Sequence, residues 1–299
     1  MKPSYRQLSE NRLAEKYRSL RDRLESCDLC GHGCGVNRFE GEEGLCDSSD
    51  TLKINSASRH FGEEDPLVGD NGSGTVFVSN CNMSCVYCQN WRISQEGRGR
   101  GVTEDRAAEM MLELQDKGCH NINWVSPTHH VPQLVGSLLK ARKRGLKVPI
   151  VYNTGGYDNP EVIETLGGIV DIYMPDVKYG SNANGEKYSN VDGYWDVVTE
   201  NLKEMHGQVG DLEKDGRGIA KQGLLIRHLV LPGNISEPRR VLKFIKNEIS
   251  ENSYVNIMGQ YRPDYRADDY KKLGRRVRRQ EVEDVKEMAE DMGLSRGFQ

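Results

Sequence analysis

The chain is poor in phenylalanine, with five in 299 residues, and only 36% of it is hydrophobic. A chain of this length still buries a sizeable core. It has no run of 18 apolar residues, which excludes an ordinary membrane-spanning helix. It has no excess of either charge: 41 Lys and Arg stand against 45 Asp and Glu, for a net charge of −4. Bulk charge therefore gives no reason to expect nucleic acid or a membrane surface as partner. The opening stretch, MKPSYRQLSENRLAEKYRSL, lacks the apolar segment of a secretory signal. A cytoplasmic location is the expectation. What the chain does not lack is cysteine, of which there are eight. Without an export signal they point to metal or redox chemistry rather than a disulfide framework.

Three of them form Cys81-x3-Cys85-x2-Cys88, directly after the apolar run Thr75-Val76-Phe77-Val78. Thiolates are soft ligands that select iron–sulfur clusters, zinc or Cu(I). A structural zinc site uses four closed ligands, and a purely electron-transferring cubane also uses four cysteines. Three thiolates with no fourth nearby would leave one iron of a cluster open to an outside ligand, as a cluster that performs chemistry requires. A zinc knuckle borrowing a distant ligand, or buried thiols without metal, would also satisfy the spacing.

A second set, Cys27-x2-Cys30-x3-Cys34-x11-Cys46, lies nearer the N-terminus among glycines that allow tight turns. Four thiols complete a closed shell for zinc or for a second iron–sulfur cluster. His32 is an alternative ligand or a surface histidine. Cys119, alone between a helix and a strand, reads as a buried inert thiol.

Around these sets the hydrophobic pattern is regular. Residues 5–26 read as an amphipathic helix with Leu13, Tyr17, Leu20 and Leu24 on one face. Residues 47–74, polar and rich in glycine, read as a linker with short strand pieces. From residue 75 strands alternate with helices: strands over 75–79, 121–125, 148–152, 169–174, 224–231 and 254–258, helices over 103–117 and 132–145, from 160, over 194–205 and from 238. A last helix spans 277–292, after the basic run Arg275-Arg-Val-Arg-Arg279, which reads as a solvated face or a docking patch. Six strand–helix units imply a parallel sheet with right-handed crossovers. That is too few for a closed eight-fold barrel, so the expected fold is α/β, an open partial (βα)6 TIM-like barrel with an N-terminal cysteine-rich extension. The expected divisions are 1–70 for the extension, 71–265 for the barrel and 266–299 for a helix packed on it. Ligands in such folds sit at the C-terminal ends of the strands.

The three-cysteine loop on the first strand of such a barrel resembles the radical S-adenosylmethionine (SAM) superfamily. Further stretches narrow the resemblance: Cys88-Gln-Asn-Trp91, Ser126-Pro-Thr-His129, Asn153-Thr-Gly-Gly-Tyr157, Asp171-Ile-Tyr-Met-Pro-Asp-Val-Lys178, Arg227-His-Leu-Val-Leu-Pro-Gly233 and Gln260-Tyr-Arg-Pro263, together with the N-terminal cysteine pattern. They are similar to a pyruvate formate-lyase-activating-enzyme-like group across about residues 27–265. The resemblance implies that Cys81, Cys85 and Cys88 hold a 4Fe-4S cluster whose fourth iron binds SAM. It implies that reduced flavodoxin or ferredoxin supplies an electron, and that a 5′-deoxyadenosyl radical takes hydrogen from a substrate. That substrate would be a glycyl radical protein, or alternatively a small molecule, peptide or other macromolecule. A non-catalytic iron–sulfur or zinc module is the contrasting reading.

The Gly-Gly-Glu signature of many members is replaced here by Ser126-Pro127-Thr128, whose hydroxyls or carbonyls would have to bind the SAM amino group. Asp176 and Lys178 match an element facing SAM, Tyr87 matches an aromatic near the adenine, and Gly155 and Gly156 offer close backbone approach. Asn153, Arg227 and Gln260 are further strand-end candidates. His129 and His130 would contact substrate, move a proton or be structural.

Overall fold

Strand and helix alternate from Ser73 to Met258 in a computed structural model that describes residues 2–298. The strands are β1 Lys53–His60, β2 Ser73–Val78, β3 Arg100–Gly101, β4 Ile122–Val125, β5 Ile150–Thr154, β6 Ile172–Pro175, β7 Glu213–Lys214, β8 Ala220–Leu229 and β9 Tyr254–Met258. One sheet joins them in the order β3-β1-β2-β4-β5-β6-β8-β7, with β9 also on β8. β2, β4, β5, β6, β8 and β9 run parallel. This is the expected six-unit α/β partial barrel, and no ladder closes β9 onto β1 among the described residues.

Burial explains the strand composition. Parallel strands are covered on both faces, and every residue of β5 is buried. Helices cover the outer face, and their ends follow local chemistry. The Thr103 hydroxyl accepts from the Arg106 amide at 3.2 Å and starts the helix Glu104–Asp116. Gly118, at φ +86°, lets the chain turn back after it. Asn159 caps Pro160–Leu166 in the same way, through the Glu161 amide at 3.0 Å. No described helix is long and apolar enough to cross a membrane.

Four segments differ from the sequence expectation. Residues 47–74 contain β1, eight residues long, paired antiparallel with β2 through residues such as Ala57 and Val76. Only short strand pieces were expected there, because three of its eight residues are exposed and it shows no apolar run. The first helix is a 3-10 turn, Ser4–Arg6, followed by Glu10–Asp22, because the Ser9 hydroxyl caps the latter through the Arg12 amide at 3.1 Å. The helix Asn182–Ser189 does not show in the pattern, because Asn182, Asn184, Gly185 and Ser189, half of its residues, have poor intrinsic propensity. The charged stretch 210–223 holds the short hairpin β7–β8. At the other end, the last helix is Arg279–Asp291, and Arg275 is tied to Glu281 at 2.7 and 2.8 Å.

The helix Val131–Lys143 buries Leu134 completely. Leu134→Ala should lower stability by about 2–5 kcal/mol through the cavity it leaves. A urea titration should show a lower midpoint at an unchanged slope.

Candidate functional site

The loop Cys81–Cys88 leaves the C-terminal end of β2, and backbone hydrogen bonds fix its course. The amides of Ser84 and Val86 donate to the carbonyls of Ser189 and Tyr188, at 2.9 and 3.0 Å, so the helix Asn182–Ser189 is its clamp. Asn80, which leads into the loop at φ +68°, donates its side-chain amide to the Asp47 carbonyl and to Ser48 Oγ at 3.0 Å. The sulfurs have donors of their own. The Met83 amide lies 3.4 Å from Cys81 Sγ, Ser189 Oγ 3.0 Å from Cys85 Sγ, and Ser94 Oγ 3.1 Å from Cys88 Sγ. Burial, reinforced by the neighbouring thiols, pushes Cys81 up to about 12. Burial raises Cys85 as well, against the pull of Lys178. Left bare, both stay thiols, and a cation is needed to draw out the thiolates.

The three sulfurs line one side of a cavity of about 340 Å³, and Glu63, Ser126, Asn153, Gly155, Asp176, Lys178 and Arg227 are among the residues that line its other sides. These residues come from the ends of β4, β5, β6 and β8, as the fold requires. Asp176 binds Lys178 Nζ at 2.7 Å and Arg227 Nε at 2.7 Å. Burial opposes its ionisation, but Arg227 and Lys178 prevail and hold its carboxyl below the usual range. Arg227 also reaches Asn153 Oδ1 at 2.7 Å and Glu63 Oε2 at 3.4 Å. Ser126 holds φ +55°, an uncommon conformation for a side-chain-bearing residue, at the cavity wall. Gly155 packs closely: a Cβ there would lie 2.5 Å from Met83 Sδ, which would have to move.

The structure thus brings Cys81, Cys85, Cys88, Ser126, Asn153, Gly155, Asp176, Lys178 and Arg227 to one cavity. It places three expected SAM contacts elsewhere. Tyr87 is packed behind the loop, its hydroxyl 2.7 Å from that of Tyr179. Thr128 turns into the core and donates to Asp158 Oδ1 at 2.7 Å. Gly156 abuts Val198, where a Cβ would stand 2.7 Å from Cγ2. Gln260 is exposed, its amide 3.2 Å from Met258 Sδ. His130 is buried at 1% exposure. The pattern missed Glu63 and Glu64, which lie in the loop between β1 and β2. Their partners, Arg227 and Asn256, are 164 and 192 positions away, so no local spacing reveals them.

Cys27, Cys30, Cys34 and Cys46 line a separate cavity together with His32, Arg38 and His129. His32 is not a free surface residue: its Nε2 donates to the Asn82 carbonyl at 2.9 Å. Cys119 is buried beneath Gly74 of β2.

The Radical SAM superfamily model matches residues 75–216, which carry the three-cysteine loop and the first four parallel strands. The uncharacterized protein MJ0674 of Methanocaldococcus jannaschii is 33% identical over 293 residues, 95% of this chain and 80% of that one. The chain belongs to the radical SAM superfamily. Among solved structures, the radical SAM fold of this chain is similar to that of HydG, a maturase of the FeFe-hydrogenase. The TM-score is 0.52 at 11% identity, covering 98% of this chain and 64% of that one. It is also similar to anSMEcpe, solved with bound AdoMet, at TM-score 0.47 and 13% identity; this match covers 74% of this chain and 61% of that one.

The donor set fits a radical SAM cluster. It comprises three soft ligands with N–H or O–H groups at the sulfurs, beside a cavity lined by the acids Glu63 and Asp176 and the bases Lys178 and Arg227.

One titration follows from this geometry. Burial, opposed by Arg227, pushes Glu63 up from 4.5 to about 7. Between these values the folded chain binds a proton that the unfolded chain has released, so stability falls as pH rises through the window. Glu63→Gln should flatten that part of the profile, measured by urea midpoints at successive pH values. An unchanged slope would place the titration elsewhere.

Proposed function

We propose that the protein is a SAM-cleaving radical enzyme that uses Cys81, Cys85 and Cys88 to hold a 4Fe-4S cluster. The observation that carries this is the meeting of the three-thiol loop and the charged strand ends on one cavity. When bound, the cluster supplies one-electron cleavage of SAM, giving methionine and a 5′-deoxyadenosyl group able to take a hydrogen atom from substrate.

The chain's own residues bind and orient. SAM presents an ammonium, a carboxylate, a sulfonium and ribose hydroxyls. Asp176 and Asn153 offer acceptors for the cationic and hydroxyl groups, and Lys178 and Arg227 offer donors for the carboxylate. Ser126 offers its hydroxyl and carbonyl in the segment where many members carry Gly-Gly-Glu. The sheet and the helix Asn182–Ser189 keep water from the back of the loop, which protects a reactive species. Reduced flavodoxin or ferredoxin is the electron donor of this reading. A glycyl radical protein is the first substrate to try, on the strength of the activating-enzyme-like motifs; a small molecule or peptide is the alternative.

Protein reconstituted without oxygen, then given dithionite and SAM, should produce 5′-deoxyadenosine and methionine, and Cys85→Ala should produce neither. Equal product from wild type and Cys85→Ala, or none from either, would sink the reading. With a deuterated substrate, deuterium should appear in 5′-deoxyadenosine only for the true hydrogen donor, which separates glycyl radical proteins from small molecules.

A further inference from the structure

The N-terminal thiols remain outside the reaction described above. Cys27, Cys30, Cys34 and Cys46, gathered within 20 residues of sequence, line one pocket. Each is free of disulfide bonding. Yet among the described residues no three His, Cys, Asp or Glu side chains are close enough to hold a single metal ion. A tetrathiolate zinc site would have its sulfurs about 2.3 Å from one centre. Four thiols that line one pocket without converging on a single ion suit a larger guest, one that brings bridging sulfides of its own.

Charge gives an independent indication. Arg38 lines the same cavity and is 1% exposed. Its guanidinium donates to the carbonyls of Ser49 at 3.1 Å and His129 at 2.6 Å, and Nη1 stands 3.9 Å from Cys27 Sγ. The ion pairs among described residues include no carboxylate partner for it. A buried cation needs a counter-charge, and thiolates bound to a metal guest would supply one. His129 also lines this cavity, at 2% exposure. Its Nε2 donates to the Ser79 carbonyl at 2.7 Å, and its buried Nδ1 has no partner.

We propose that Cys27, Cys30, Cys34 and Cys46 hold a second iron–sulfur cluster, fully ligated by thiolates, with Arg38 as its buried counter-ion. The site adjoins the three-cysteine loop on both sides of Cys81. His32, between Cys30 and Cys34, holds the Asn82 carbonyl, and Asp47 and Ser48, just after Cys46, hold the Asn80 side chain. An occupied site therefore fixes the entry of the catalytic loop, and it sits where a one-electron carrier could pass charge to that loop.

The test does not depend on SAM chemistry. The variant with Cys81, Cys85 and Cys88 all changed to Ala, reconstituted without oxygen, should retain about four irons and four sulfides per chain, and a dithionite-reducible EPR signal. Zinc alone, or no metal in the folded variant, overturns the proposal. Should that variant fail to fold, the Cys27→Ala, Cys34→Ala, Cys46→Ala variant supplies the converse: iron should fall from about eight per chain to about four, and an unchanged iron content overturns the proposal. In the first variant, Arg38→Met should shift the midpoint of cluster reduction to more negative potential, because a positive charge that favours the reduced state is gone. Arg38→Lys should restore most of that shift. An unmoved potential overturns the counter-ion role.

Discussion

One guanidinium joins the rim of the barrel. Arg227, near the end of β8, is bonded to Asp176 after β6, to Asn153 of β5 and to Glu63 in the loop between β1 and β2. A second acid of that loop, Glu64, accepts from Asn256 of β9 at 3.0 Å, so the seam that the sheet leaves open is crossed by side chains. Three carboxyl groups so close together would repel one another in a buried setting, and two cations, Arg227 and Lys178, make their burial tolerable. Removing one member of such a set leaves an unpaired buried charge, which costs about 3–5 kcal/mol. The rim is therefore a charged, preassembled surface rather than a collection of separate strand ends.

The cysteine loop depends on that rim and on two further supports. Lys178 lies close enough to ease the ionisation of Cys85 and is itself tied to Asp176. The end of the helix Asn182–Ser189 fixes the loop backbone and places the Ser189 hydroxyl against Cys85. From the other side, the cysteine-rich extension grips Asn80 and Asn82. Three separate parts of the chain thus hold a seven-residue spacing of thiols in one pose before any metal arrives. Preassembly of this kind lowers the entropy lost on binding a cluster.

Much of this was legible in the sequence because it rests on local pattern. The strand period, the helix starts at residues 103 and 160 and the spacing of the thiols are all short-range signals, and they located the partial barrel and the cavity wall. The failures are long-range. Tyr87 sits next to a cysteine ligand in sequence, yet its side chain points back to Tyr179, because adjacent residues of a loop need not share a face. Thr128 was drawn away by Asp158, a buried acid whose bonds to Thr128, Tyr152 and Thr154 no spacing discloses. β1 was expected only as short strand pieces in a linker because its solvated face broke the apolar pattern, and Glu63 and Glu64 beyond it were missed. His129, two residues from Pro127, faces the four-cysteine cavity and not the three-cysteine one.

The most direct measurement is EPR of the anaerobically reconstituted, dithionite-reduced protein with and without SAM. An iron left open beside the Asp176, Lys178 and Arg227 rim should take SAM as ligand, and the spectrum of the reduced cluster should change when SAM is added. That change should vanish in Cys81→Ala. A spectrum indifferent to SAM, or a response to SAM that persists in Cys81→Ala, would contradict an open iron held by this loop.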